Sequence, residues 1–292
     1  MDLRRVVTVL DRPNRPQTAL KRTLRICHDL GHAVQVEPVS FLYSALVESG
    51  SAFDAKERKA LKKQLLAKQH EWADKLASQN PDVGDVRVVW DRHLAEWVID
   101  QCGTADLVVK TASGSKRARS ASDWALLTSC PTNLLLVGHK RVRQPQVVIA
   151  ALDLEHTDKL HQDLNRKVLD AAASMAKMSN AELHVACAAE VSPALLDLDV
   201  ISEYQAQRRL VKKSKERLDK LLGPYEVKKK NRHFPVGKIG QAMADCAKSL
   251  HADLLVVGTR ARPVAQSLGV GNSAQRILRK APCDVLAVRP ER

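Results

Sequence analysis

Aromatic residues are scarce. Phe, Tyr and Trp make up 3% of the 292 residues, so the cores must be built from Leu, Val, Ala and Ile, which the 45% hydrophobic content supplies. Long apolar runs are missing as well. None approaches the roughly 18–20 residues of a membrane span, so no membrane insertion is expected. The opening Met1-Asp2-Leu3-Arg4-Arg5 lacks the apolar stretch of a secretory signal, and the expected location is the cytoplasm. The six cysteines (Cys27, Cys102, Cys130, Cys187, Cys246 and Cys283) include no CxxC pair and read as small buried residues. The ten histidines show no HExxH or similar spacing, so no metal site is expected. Ser267-Leu268-Gly269 is not a nucleophile elbow, and no lysine stands in a GxxxxGK[ST] loop. With no catalytic constellation in view, the chain is read as a non-enzyme.

What is abundant is positive charge. The formal net charge is +14, and basic residues gather in Lys56–Lys68 and Arg208–Lys220. Such a surface attracts nucleic acids and other anions. No aromatic residues are interleaved in these runs to stack on bases, which weakens a single-strand-binding reading. Solvated helix faces are the simpler account.

The chain also repeats itself. Arg5–Asp11 parallels Gln146–Asp153, Ala105–Val109 parallels Ala252–Val257, and Ser129–Val137 parallels Lys280–Val288. The division expected is 1–140 and 146–292, with a basic linker over His139–Pro145. In each half short β-branched and Leu-rich runs alternate with amphipathic patterns. Strands are predicted near Val6–Leu10, Ala33–Val39, Val86–Trp90, Leu107–Thr111 and Leu134–Val137. Their counterparts are Val147–Leu152, Glu182–Ala188, Val227–Arg232, Leu254–Val257 and Val285–Val288. Core-facing helical stripes include Leu160, Leu164, Val168 and Met175, then Ile201, Tyr204, Val211, Leu218 and Leu222. Strands separated by helices imply right-handed parallel βαβ units. The fold class is therefore α/β, two tandem doubly wound five-stranded parallel-sheet domains of Rossmann-like type.

In such a sheet ligands bind beyond the carboxyl ends of the strands, where strand order reverses. Asp153, directly after the first strand of the second half, can accept hydrogen bonds from a base or ribose. A turn or cap role serves an Asp there equally well. Gly258-Thr259-Arg260-Ala261-Arg262 leaves the fourth strand, and Gly269-Val270-Gly271-Asn272-Ser273 leads into a helix. Loop amides and a helix N-terminus favour an anion, and Arg260 adds charge. Ordinary loop and capping chemistry remains the alternative.

These residues resemble the universal stress protein family. ATP-binding members carry Gly, two residues, Gly, nine residues, Gly, then Ser or Thr after the fourth strand. Here Gly258 is followed by Ala261 at the second glycine, then nine residues to Gly271 and Asn272. Ala261 adds a methyl group and Asn272 replaces a hydroxyl. In the first half Thr111 stands where Gly258 does, the following loop is about four residues shorter with Ser120 opposite Gly271, and no standard ATP site is expected there. That asymmetry, with Val88-Val89-Trp90, Asp123-Trp124 and Cys130-Pro131, is similar to the tandem-type members of the family.

The resemblance implies a non-catalytic cytoplasmic stress-response protein. Its second half would hold ATP, another adenine nucleotide or a different small-molecule ligand at Asp153, Gly258, Arg260, Gly271, Asn272 and Ser273. It also implies an intramolecular pseudo-dimer through the last strands, and allows a homodimer of whole chains. The alternative is a scaffold without nucleotide that binds an acidic protein partner or RNA.

Overall fold

The computed structural model describes residues 3–115, 118–138, 144–191, 202–259 and 273–290. Ten strands join in one sheet. In the first half they are β1 (Arg5–Val9), β2 (Gln35–Leu42), β3 (Arg87–Trp90), β4 (Leu107–Thr111) and β5 (Asn133–Val137). In the second they are β6 (Val147–Ala151), β7 (Glu182–Ala186), β8 (Arg232–His233), β9 (Leu254–Gly258) and β10 (Asp284–Val288). The helices are α1 (Thr18–Leu30), α2 (Ala45–Ser49), α3 (Ala55–Ser78), α4 (Leu94–Gln101), α5 (Ala121–Ser129), α6 (Lys159–Met178), α7 (Glu203–Leu221), α8 (Ile239–Ser249) and α9 (Ser273–Lys280).

The spatial order is β8-β7-β6-β9-β10-β5-β4-β1-β2-β3, the same doubly wound order in each half about a central seam. Every pairing in this sheet is parallel except the seam, where β10 runs antiparallel to β5 with Leu286 opposite Leu135. The five-stranded sheets expected from the sequence are thus continuous through their last strands. Leu134, Leu135, Leu136, Val285, Leu286 and Ala287 are all at most 1% exposed. Full burial of each large side chain is worth roughly 1.5–3 kcal/mol.

Strand side chains alternate between two cores, one on each face. One core joins β-strand residues to α1, α6 and α7 through Ala19, Ile26, Val168, Leu169, Met175 and Leu218. The other joins them to α4, α5, α8 and α9 through Val98, Leu126, Leu127, Met243, Ala247 and Leu278. Both cores contain residues from both halves. Local signals start and stop the helices: Asp54 and Glu57 form a reciprocal capping box at the start of α3. Gly31, with φ of 68°, ends α1 in the left-handed conformation.

Two expectations fail. The strand predicted over Val227–Arg232 is reduced to β8, preceded by the single 3₁₀ turn Lys229–Asn231. Lys228, Lys229 and Lys230 are exposed, and three successive ammonium groups cannot alternate into a core. Leu160 and Tyr204, predicted on core stripes, are 43% and 67% exposed; each stands in the first turn of its helix.

Candidate functional site

In the second half the chain winds outward from β6 to β8, then returns to β9 on the other side. The carboxyl ends of β6 and β9 therefore splay around a crevice of about 430 Å³. Ala188, Ile239, Met243 and Ile277 give it apolar walls, while Asp153, His156, His161 and Arg276 bring polar groups to it. Of the residues predicted to bind ligand, Asp153 and Gly258 line this crevice together. Ser273 is the first residue of α9, whose Ala274, Arg276 and Ile277 also line it. Arg260, Gly271 and Asn272 lie outside the described residues.

Asp153 stands at a braced turn. Its backbone N–H donates to Asn165 Oδ1 (3.0 Å), and its carbonyl accepts from Asn165 Nδ2 (2.7 Å), tying the strand end to buried Asn165 of α6. Its Oδ1 accepts from the N–H groups of Glu155 (3.2 Å) and His156 (3.4 Å), and its Oδ2 lies 3.0 Å from His156 Nδ1. The turn role and the crevice position thus coexist in one residue. Beneath it, burial reinforced by the Asp153 carboxylate pushes the Cys187 thiol far above its usual range, so Cys187 is an inert core group.

Gly258 has a packing reason of its own. A Cβ there would lie 2.7 Å from Leu164 Cγ and 3.1 Å from Val168 Cγ2, so the bare backbone lets α6 close on β9. Arg276, not foreseen from the sequence, reaches the crevice from α9 and pairs with Glu190 at 2.8 Å. His156 and His161 were not foreseen either. Their signal was local: both follow Asp153 closely in the turn and first helical residues after β6.

At the corresponding strand ends of the first half, side chains bond to one another beside a cleft. Gln17 braces Asp11 as Asn165 braces Asp153, through Asp11 N–H to Gln17 Oε1 (3.1 Å) and Gln17 Nε2 to the Asp11 carbonyl (3.2 Å). There the likeness stops. Thr111, at the position of Gly258, donates from Oγ1 to Asp11 Oδ2 at 2.8 Å, and the same carboxylate oxygen accepts from the Thr18 N–H at 2.9 Å. Next to it Lys110 donates to the Thr111 carbonyl (2.9 Å), Ser113 Oγ (2.7 Å) and Asp123 Oδ1 (2.6 Å), using all three ammonium protons. Asp123, fully buried in the first turn of α5, also accepts from the Ser113 N–H. Its carboxylate sits where a helix N-terminus and a loop amide would otherwise meet an external anion. A cleft of about 390 Å³ remains beside this ion pair, lined by Asp11, Arg12, Tyr43, Asp91 and Arg92 among others.

Among the described residues no helix is long and apolar enough to cross a membrane. Residues 157–289 match the model of the Universal stress protein family. The chain is 21% identical to the Universal stress protein E homolog of Haemophilus influenzae, over 100% of this chain and 99% of that one. It is 24% identical to Universal stress protein E of Salmonella typhi, over 98% of this chain and 94% of that one. A putative universal stress protein of Pseudomonas aeruginosa has the same fold, with a TM-score of 0.70 at 21% identity over 99% of this chain and 94% of that one. The second half thus matches the universal stress protein family, the first repeats its strand order, and the chain is similar from end to end to tandem-type universal stress proteins.

Proposed function

We propose that the protein is a non-catalytic stress-response protein whose second half binds an adenine nucleotide, ATP or a close relative, in the crevice between β6 and β9. The observation that carries this reading is the difference between the halves. Both halves keep a cleft of similar size, about 390 and 430 Å³, but the first sets the Lys110–Asp123 ion pair and Thr111 beside its cleft, where the second has Gly258 and the Arg276 guanidinium. That combination suits a flat base, a ribose and a phosphate chain. Asp153 would take a base or ribose hydrogen bond, Arg276 and Arg260 would face the phosphates, and Gly258, Gly271, Asn272 and Ser273 would form their loop and helix end.

The test is mass spectrometry of ligand released from gently purified full-length protein, with calorimetric titration of ATP on the same sample. Release of an adenine nucleotide, or saturable heat that weakens roughly tenfold or more with Gly271→Asp or Arg276→Glu, is the expected outcome. Gly258 is unsuitable for this purpose because any side chain there strikes α6. No nucleotide and no heat would favour a second reading, an interaction protein using its basic face. The exposed Arg208, Arg209, Lys212, Lys213 and Lys215 of α7 make that face available to an acidic partner.

A further inference from the structure

The loop from β6 into α6 brings together three side chains of metal-ligating type. One ligand atom from each of Asp153, His156 and His161 lies within 4.8 Å of the other two. His156 Nδ1 is 3.0 Å from Asp153 Oδ2, and the two imidazoles stack with centroids 4.6 Å apart and planes 19° from parallel. A second-layer contact orients the set. His161 Nδ1 is hydrogen-bonded to Asp158 Oδ2, the carboxylate that also caps α6 through the His161 N–H at 3.1 Å. An ionised carboxylate only accepts, so Asp158 holds the proton on Nδ1 and leaves the lone pair on Nε2. A histidine whose far nitrogen is fixed by a carboxylate is the usual arrangement of a metal-bound imidazole. The side chains are accessible: those of His156, Asp153 and His161 are 55%, 35% and 18% exposed.

We propose that Asp153, His156 and His161 form a binding site for a first-row transition-metal dication of the zinc class. Two imidazoles and one carboxylate are the donor set such ions prefer, whereas Ca²⁺ and Mg²⁺ call for oxygen ligands throughout. Three protein ligands leave a coordination position for water or an external oxygen ligand, and all three residues line the crevice between β6 and β9. The site shares Asp153 with the proposed nucleotide contact, but its three ligands and their orienting carboxylate all come from the chain, so each reading is tested with the other ligand absent.

The full-length protein, stripped with chelator and free of nucleotide, is titrated with Co²⁺ while its visible ligand-field absorption is recorded, and Zn²⁺ is then added in competition. The expected result is one Co²⁺ per chain, displaced by one Zn²⁺. The signal is lost in His156→Ala/His161→Ala, a variant whose circular dichroism shows the fold retained. Asp158→Asn, which changes no ligand, weakens binding about tenfold or more. Absence of a Co²⁺ spectrum in the wild-type chain, or an unchanged titration in the double variant, overturns the site. Calorimetric titration of ATP in chelator reads the nucleotide proposal separately, so either can fail alone.

Discussion

At the scale of single residues, the two halves diverge most at Lys110 and Asp123. Lys110 is 4% exposed and Asp123 0%, and each satisfies the other as well as Ser113. Taking two charges out of water is costly, and the pair is tolerated because every ammonium proton and both carboxylate oxygens find partners. Asp123→Ala leaves a buried cation, and urea denaturation is expected to show a loss of roughly 3–5 kcal/mol. Lys110→Met/Asp123→Leu, which removes both charges, is expected to recover most of that loss. A double variant as unstable as the single one would mean that the local fold, and not the unpaired charge, sets the cost. Asp153 was legible in the sequence because it directly follows a strand. Asp123, Arg276, His156 and His161 were not, since their importance rests on contacts that only the folded chain creates, such as Lys110 to Asp123 across the β4–α5 connection.

Elements were more legible than side-chain roles, for a physical reason. Parallel strands buried on both faces have to be near-continuous apolar runs, so Leu134–Val137 and Leu254–Val257 announce themselves. The edge strand β8 was expected over Val227–Arg232 but is confined to Arg232–His233, because an edge needs little apolar sequence and the exposed Lys228–Lys230 run cannot join it. Helix stripes were legible in their middle turns, Leu164 and Val168, and failed at first turns, Leu160 and Tyr204. The contact between α6 and β9 shows how an element constrains the crevice. Gly258→Ala places a methyl group 2.7 Å from Leu164 Cγ, so α6 must shift or Leu164 must leave its rotamer. Thermal or urea unfolding is expected to register a loss of roughly 1–3 kcal/mol. A double-mutant cycle with Leu164→Ala should give a favourable coupling, because the smaller side chain makes room for the new methyl group. Additive losses would place the strain elsewhere than at this contact.

For the whole molecule, the question is whether the halves unfold as one body. The seam between β5 and β10 is reciprocal: Asp284 Oδ1 accepts from the Gly138 N–H at 2.8 Å, and Asn133 Oδ1 accepts from the Arg289 N–H at 3.0 Å. Arg22 of α1 crosses the seam to Asp284 at 2.8 Å, and Arg289 crosses it in the other direction to the carbonyls of Leu126 and Leu127 at 3.1 and 2.9 Å. Arg279 of α9 lies 5.0 Å from the ring centroid of Trp124 on α5. Burial pushes the Asp284 carboxyl above its usual range, with Arg22 and the Gly138 N–H pulling it back, and burial draws Arg289 down to about 10. These groups bear desolvation on behalf of the seam, and both hydrophobic cores run across it. The four tryptophans, Trp72, Trp90, Trp97 and Trp124, all belong to the first half, so their fluorescence follows that half while far-ultraviolet circular dichroism follows both. In the wild-type chain the two signals are expected to share one denaturation midpoint. Asp284→Ala, a change in the second half that strips Arg22 of a buried partner, is expected to cost roughly 3–5 kcal/mol and to lower both midpoints together. Asp284→Asn, which keeps an acceptor for Gly138, is expected to cost less. A circular dichroism midpoint that falls while tryptophan fluorescence stays in place would mean that the seam joins two bodies that unfold separately, despite their shared sheet.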